Sequence, residues 1–300
     1  VSEQIAATFT GRASAAPPVP RRRVLTARRI VGTLLKHGIL WVFSLVFLFP
    51  FVWMVTTSLK DNAQVYAYPP VWLPHPIMWI NYWQAVTDIH FFGYLFNTLR
   101  YAVLSSIGAC ISAPIVGYGF SKIQWPGRDV FFFITLSLLM LPGQVTLVPL
   151  FLLFHRFGWV GSYKPLIIPA FFGSPFYIFL ARQFYRQVPN EIIEAARIDG
   201  AGEFRIFLQI VTPLILPAVA TIALFQFTGA WGDFLGPLIY ISKDSLYPLS
   251  IGLTAFESVY STQWQLLMAG ATLFTLPMIL LYLFVQRTFI RGIQFSGMVG

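Results

Sequence analysis

The sequence predicts an all-α membrane protein with six transmembrane helices, and three observations carry that expectation. Apolar residues make up 57% of the chain and charged ones 10%, where a soluble domain carries roughly a quarter charged. Six stretches free of charge run 38–59, 101–120, 130–154, 165–181, 213–232 and 266–285, each near the roughly 17 to 25 residues that a tilted helix needs to cross a bilayer core. With an even span count and both ends on one side, fifteen of the twenty basic residues fall on that side. By the positive-inside rule it is the cytoplasmic one.

Taken in order, residues 1–34 are rich in Ala, Pro and Arg and read as a disordered, basic cytoplasmic tail. The first apolar run is too long for the h-region of a secretory signal and no small-residue cleavage site follows it, so the tail is expected to stay attached. Residues 35–300 form the transmembrane domain, with spans about 38–59, 96–120, 130–154, 165–182, 213–236 and 266–286 and a cytoplasmic loop over 187–212. Arg100 stands at the mouth of the second span, where snorkelling to the interface suits it. Cys110, the one cysteine, reads as a small buried apolar residue. The fourth span is the weakest, because Pro169, Gly173 and Pro175 interrupt it and a re-entrant segment there would change the topology. Prolines and glycines recur in the other spans too, at Pro50, Pro114, Gly117, Pro142, Gly143, Pro149, Pro217 and Pro277. Backbone freed by such kinks is tolerated where it is buried in protein or lines a cavity, which fits a moving bundle.

Polar residues inside the spans are few, and most read as helix-to-helix hydrogen-bonding groups. Gln226, Trp231 and Asp233, at the end of the fifth span, are the candidate solute-pathway residues, since a carboxylate is costly at mid-bilayer and sugar hydroxyls pair well with it. Asp233 lies near the outer mouth, where a capping role is equally open. The four histidines share no helix face, so neither a metal site nor acid-base chemistry is expected. No Gly-x-x-x-x-Gly-Lys-Ser/Thr loop exists, because no lysine follows a glycine. The chain is expected to bind no nucleotide and no cofactor. The net charge of +9 is explained by topology, which removes the nucleic-acid reading.

The most informative stretch runs from Pro189 to Pro213. Asn190 can cap a helix whose first turn carries Glu191, and Ile192, Ile193, Ala195 and Ala196 keep that helix half apolar. Gly200 breaks it, and Asp199 or Gly200 can start a second run with Phe204, Phe207, Leu208 and Ile210 apolar. The product is a helix-Gly-helix elbow at the membrane surface. Its spacing, Glu194-Ala195-Ala196, three residues, Gly200, nine residues, Ile210, two residues, Pro213, resembles the EAA loop of permease subunits of bacterial ABC importers. The resemblance covers roughly Leu35 to Gly300 and is strongest to the maltose-type carbohydrate branch. Gly117 to Lys122 followed by Trp125-Pro126-Gly127-Arg128, Met140 to Val145 with Pro149-Leu150, and Phe179 to Phe184 are all similar to that branch. Trp231-Gly232-Asp233-Phe234 with Pro237-Leu238 looks like its Trp-Asn-Asp-Phe motif, with glycine in place of asparagine. Gln286-Arg287 to Gly292 and Gly297 to Gly300 resemble its C-terminal tail, without the lysine often found before the last glycine.

The resemblance implies a type I ABC importer permease fold with a cytoplasmic coupling helix. It implies a bacterial plasma-membrane assembly in which this subunit and a second permease form the pore, two cytoplasmic ATPase subunits drive it, and an extracytoplasmic binding protein delivers solute. Glu194, Ala195, Ala196, Asp199, Gly200, Ala201, Ile210 and Pro213 would then form the ATPase-coupling segment, with Ala195 and Ala196 permitting close approach. The solute would be a sugar, oligosaccharide or related polyol, with glycerol phosphate as an alternative. An ion-coupled secondary transporter is the rival class. A polytopic enzyme would need convergent nucleophile and base, which the chain does not offer.

Overall fold

The computed structural model describes residues 27–257 and 262–296, with side chains over 31–257 and 262–286. Most of the expected tail, to residue 26, and Gly297 to Gly300 of the expected C-terminal motif lie outside the described residues, as do the side chains of Arg287 and Arg291. The elements are α1 (Ala27–Ser58), α2 (Asn62–Val65), α3 (Ile80–Thr87), α4 (Phe91–Ser121), α5 (Arg128–Ser137), α6 (Gly143–Arg156), α7 (Lys164–Ile167), α8 (Pro175–Gln187), α9 (Asn190–Ile198), α10 (Glu203–Arg205), α11 (Thr212–Leu214), α12 (Leu216–Trp231), α13 (Leu235–Tyr240), α14 (Leu249–Gly252) and α15 (Trp264–Ser296). Four helical runs are long and apolar enough to cross a membrane unbroken, and six if each of two bent pairs counts as one span.

The chain divides into a unit up to Phe51 and a unit from Val52 onward. In the first, α1 begins at Ala27, earlier than the expected tail boundary. Leu35, Trp41, Phe43 and Phe47 are exposed around that helix.

In the second unit α4 is the central strut. Ser105, Ala109, Ala113 and Gly117 recur every fourth residue and are all buried, a small-residue seam that lets neighbouring backbones approach. A β-carbon on Gly117 would stand 2.8 Å from Ala181 Cβ and 3.1 Å from the Arg182 nitrogen, so α8 lies directly against this seam. Pro114 is accommodated inside α4 without a break.

The sharpest departure from the expected spans is in the third. It is not the fourth that folds back: the run Arg128–Met140 meets Gly143–Arg156 at 101°. Pro142 explains the bend, because the residue before a proline avoids the helical region. Leu141 is accordingly extended (φ −80°, ψ 118°) and α6 restarts with Pro142 as its N-cap. The fourth span runs over Lys164–Gln187 in pieces, with a 3-10 turn at Ile168–Phe172 and Gly173 at φ +92° before α8. The fifth is bent by 78° between Glu203–Leu214 and Leu216–Trp231.

At the end of α4 opposite the elbow, polar side chains staple loops onto it. Asn97 Nδ2 donates to the carbonyls of Ser245 and Tyr247 at 2.9 and 3.1 Å. Thr98 Oγ1 accepts the Leu249 N–H at 2.8 Å, with both residues fully buried. Asn81 on α3 likewise donates to the carbonyls of Ser58 and Lys60, both at 2.8 Å, satisfying acceptors that the end of α1 leaves open.

Candidate functional site: the surface elbow

The elbow spans Val188 to Ile215 and is built on one continuous apolar core. Ile193 and Ala196 of α9, Ile206, Val211 and Ile215 pack with Ala109, Ala113 and Tyr118 of α4, Ala181 and Tyr185 of α8, and Ala218 and Ile222 of α12. One face of α9 is thus part of the bundle interior. The other face is bare: Glu191, Glu194, Ala195, Arg197, Ile198 and Asp199 are exposed. Ile198 on this face is 87% exposed and Phe204, beyond the turn, 76%, so the elbow presents apolar surface edged with charge, of the kind that fits a partner groove.

Gly200 ends α9 as the sequence predicts, with φ +80°. The Ala201 N–H reaches the Ala196 carbonyl at 2.9 Å and the Gly200 N–H the Arg197 carbonyl at 3.0 Å. This pair of bonds is a Schellman motif, which needs a left-handed residue at Gly200's position and seats a contact between Ala201 and Ala196. The two alanines therefore divide the work. Ala196, 7% exposed, belongs to the subunit's own core, while Ala195 faces outward.

Asn190 does not cap α9. Pro189 holds the N-cap position and Asn190 is the first helical residue. The Asn190 side-chain oxygen instead accepts from Lys122 Nζ at 2.8 Å, while the same ammonium donates to the Val188 carbonyl at 2.5 Å. Lys122 thereby ties the end of α4 to the start of the elbow. Burial lowers its pKa, with nearby Glu191 acting in the opposite direction.

The second helical run starts later than expected, at Glu203 after an extended Gly202. The cause is the Schellman turn, which consumes Asp199 to Ala201 before the chain can wind again. Glu203 is a residue of the elbow that sequence reasoning missed. Its carboxylate takes Arg197 Nη2 at 2.6 Å and Nε at 2.8 Å on one oxygen, and the Tyr118 hydroxyl at 3.0 Å on the other. Arg197 is thus paired across the turn and not with Glu194 on its own helix, and Glu194 is left without an ion-pair partner among the described residues. Tyr118, 4% exposed, also meets the rings of Tyr185 and Phe207 at 5.5 and 5.2 Å. A cleft of about 230 Å³ lined by Ile115, Tyr118, Ile123, Glu203, Phe204 and Phe207 opens beside it.

Ile210 and Pro213 finish the segment. Residues Ile206–Val211 form a π-helix in which the Thr212 N–H reaches back to the Phe207 carbonyl. Pro213 supplies the reason: it offers no N–H and its ring would collide with the carbonyl four residues back, and widening the helix relieves both. Ile210 is half-buried against the core and Pro213 exposed. Tyr185 and Thr212 join hydroxyls at 3.0 Å across this junction.

The candidate solute-pathway residues lie apart from the elbow, toward the other end of α12. Trp231 is 4% exposed, donates its indole N–H to the Phe274 carbonyl at 3.2 Å and stacks on the Phe274 ring at 5.3 Å. Asp233 accepts the Tyr101 hydroxyl at 2.9 Å and the Gly236 N–H at 3.0 Å, so both carboxylate oxygens are engaged and the start of α13 is capped. Gln226 is half-buried and its side chain makes no hydrogen bond among the described residues.

Known proteins share this architecture. Residues 109–295 match the family described as binding-protein-dependent transport system inner membrane component. The chain is 31% identical to the arabinooligosaccharides transport system permease protein AraQ of Bacillus subtilis, over 86% of this chain and 92% of that protein. It is 30% identical to the diacetylchitobiose uptake system permease protein NgcG of Streptomyces coelicolor, over 84% of each. It is 33% identical to the sn-glycerol-3-phosphate transport system permease protein UgpE of Yersinia enterocolitica, over 86% of this chain and 94% of that one. The fold superposes with a TM-score of 0.77 on a chain of a bacterial ABC transporter that imports alginate, at 23% identity, covering 87% of this chain and 98% of that one. These matches decide for the ABC importer class over the ion-coupled one, and the chain belongs to the binding-protein-dependent transport system inner membrane components, the permease subunits of ABC importers.

Proposed function

We propose that this subunit pairs with a second permease to form the translocation path for a carbohydrate, an oligosaccharide or a related polyol, delivered by an extracytoplasmic binding protein. Two separate ATPase subunits dock at the elbow and supply the energy, and the solute passes near Gln226, Trp231 and Asp233. The assembly sits in a bacterial plasma membrane with both termini in the cytoplasm.

The observation that carries this reading is the two-sidedness of the elbow. A helix anchored on one face in the bundle core, with an exposed apolar and charged face opposite, moves the core when its bare face is moved. Interiors packed this closely transmit displacement, and the elbow's core residues belong to α4, α8 and α12 alike. The carbohydrate class rests on the relatives named above and on the maltose-type motifs.

Reconstitution tests it. The purified complex of this chain with its co-expressed partners, in vesicles, takes up a radiolabelled oligosaccharide only with ATP inside and binding protein outside. Uptake that follows an ion gradient in the absence of ATP would overturn the reading. Orientation is tested separately in a Cys110→Ala background: Asn62→Cys and Ser245→Cys react with an impermeant reagent from outside, and Asp199→Cys only after the membrane is opened.

A further inference from the structure

Next to the elbow, docking leaves a cluster of arginines unaccounted for. Arg128 opens α5 and grips the neighbouring Asp129 with Nε to Oδ1 at 3.1 Å and Nη2 to Oδ2 at 3.3 Å. Its Nη1 donates to Gln124 at 3.0 Å. Arg182 on α8 donates Nε to the Phe120 carbonyl at 3.2 Å, lies over the Phe132 ring at 3.8 Å, and reaches the same Asp129 Oδ1 at 3.6 Å. Its side chain is only 11% exposed. Arg186 follows one turn later on the same face of α8, within electrostatic reach of both Arg182 and Asp129. Among the described residues the Arg186 side chain has no hydrogen-bond or ion-pair partner.

Two guanidinium groups thus share one carboxylate, a third stands one helical turn away, and two positive charges are left over. Like charges held together beside a low-dielectric interior repel strongly, and an anion between them relieves the repulsion. The planar fork of arginine matches phosphate oxygens two at a time. What lies next to the cluster narrows the anion further. From Arg128, α5 runs on with Val130, Phe131, Phe133 and Ile134 exposed, an apolar strip that a free phosphate does not use and an acyl chain does. The general excess of cations on one membrane side accounts for basic residues here, but not for their convergence.

We propose that Arg128, Arg182 and Arg186 hold the phosphate of an anionic phospholipid whose acyl chains lie along the exposed face of α5. The site joins α5 to the last turns of α8, directly before the elbow, and does not depend on what docks there.

Native mass spectrometry of the delipidated full complex, with phosphatidylglycerol or phosphatidylcholine added back, reads it out. The intact complex retains phosphatidylglycerol over phosphatidylcholine, and Arg128→Gln or Arg186→Gln each weakens that retention about fivefold. Arg186 is exposed, so its replacement spares the fold; Arg186→Lys keeps the charge and most of the preference, and Arg156→Gln, outside the cluster, changes nothing. Equal retention of the two lipids, or an unchanged preference in Arg186→Gln, would overturn the proposal. Displacement of phosphatidylglycerol by millimolar inorganic phosphate would also overturn it, because the site would then belong to the free anion.

Discussion

The two ends of α4 are built on opposite plans. At the end away from the elbow, Asn97 and Thr98 give their polar atoms to backbone groups of the loop that leads into α14 and of its first residue, Leu249. Asp233 closes on Tyr101 and Gly236 in the same region. These bonds fix the loop to the subunit's own bundle. At the elbow end, Tyr118 and Lys122 make just as firm a hold on Glu203, Val188 and Asn190, yet the segment they hold turns its other face outward. A transport subunit needs both: a loop that follows the bundle and a lever that something else can push.

The contrast between adjacent alanines tests this most severely. Ala196→Asp puts a carboxylate into the core without a partner and costs roughly 4 kcal/mol or more, so the subunit is lost from the membrane fraction. Ala195→Asp, one residue away on the bare face, changes the subunit's own stability by no more than about 0.5 kcal/mol. It nevertheless removes the ATPase from the purified complex. Equal behaviour of the two variants in expression and co-purification would erase the distinction between anchored and bare faces.

The second test belongs to the opposite end. Thr98→Val strips the acceptor from the buried Leu249 N–H and costs about 1 to 3 kcal/mol, seen as a lower melting temperature of the complex in detergent. ATPase binding stays normal, because nothing at that end faces the partner proposed for the elbow. Loss of ATPase from the folded Thr98→Val complex would show that the ends are not separable.

The elbow half of this contrast was legible in the sequence, the stapled half was not, and what was missed has a physical cause. Gly200 announced the turn because a left-handed residue after a helix is nearly a glycine's own position. The division between Ala195 and Ala196 did not show, since residues of equal size one step apart differ only in which way the helix points them. Glu203 was hidden because its partners are Tyr118, which is 85 residues away in the chain, and Arg197, for which Glu194 offered an equally good local spacing. The bend in the third span lay behind Pro142, which looked no more disruptive than Pro169 and Pro175. Proline fixes where a helix can break, while packing decides how far it turns.

Gly200→Val separates geometry from contact. Beyond its chain neighbours, no atom stands within 4 Å of the β-carbon it would add, so the cost is that of the left-handed backbone alone, about 1 to 2 kcal/mol. Gly200→Asn, which tolerates that conformation better, recovers most of the loss. Both variants assemble, and uptake falls with the valine because α9 leaves the turn at a different angle. Full uptake by Gly200→Val would mean that the direction of the elbow does not matter to transport.

Two carboxylates on the elbow give small changes in stability, and their comparison is the finest probe of the lever. Glu203→Gln weakens a half-exposed ion pair, each side chain being about half accessible at 49% and 47%, a loss of no more than about 1 kcal/mol. Glu194→Gln removes no pair within the described residues and leaves the melting temperature where it was. Their effects on function should be reversed in kind. Glu203 links α9 to Tyr118 on the central strut, so its replacement leaves the ATPase bound and hydrolysing while solute uptake falls. Glu194 points away from the bundle, so its replacement weakens ATPase binding itself, and whatever ATPase remains bound stays coupled. The ratio of solute moved to ATP hydrolysed distinguishes them, falling in Glu203→Gln and holding in Glu194→Gln. A ratio that falls in both would mean that Glu194 also reports inward, and the division of the elbow into an anchored face and a bare one would have to be redrawn.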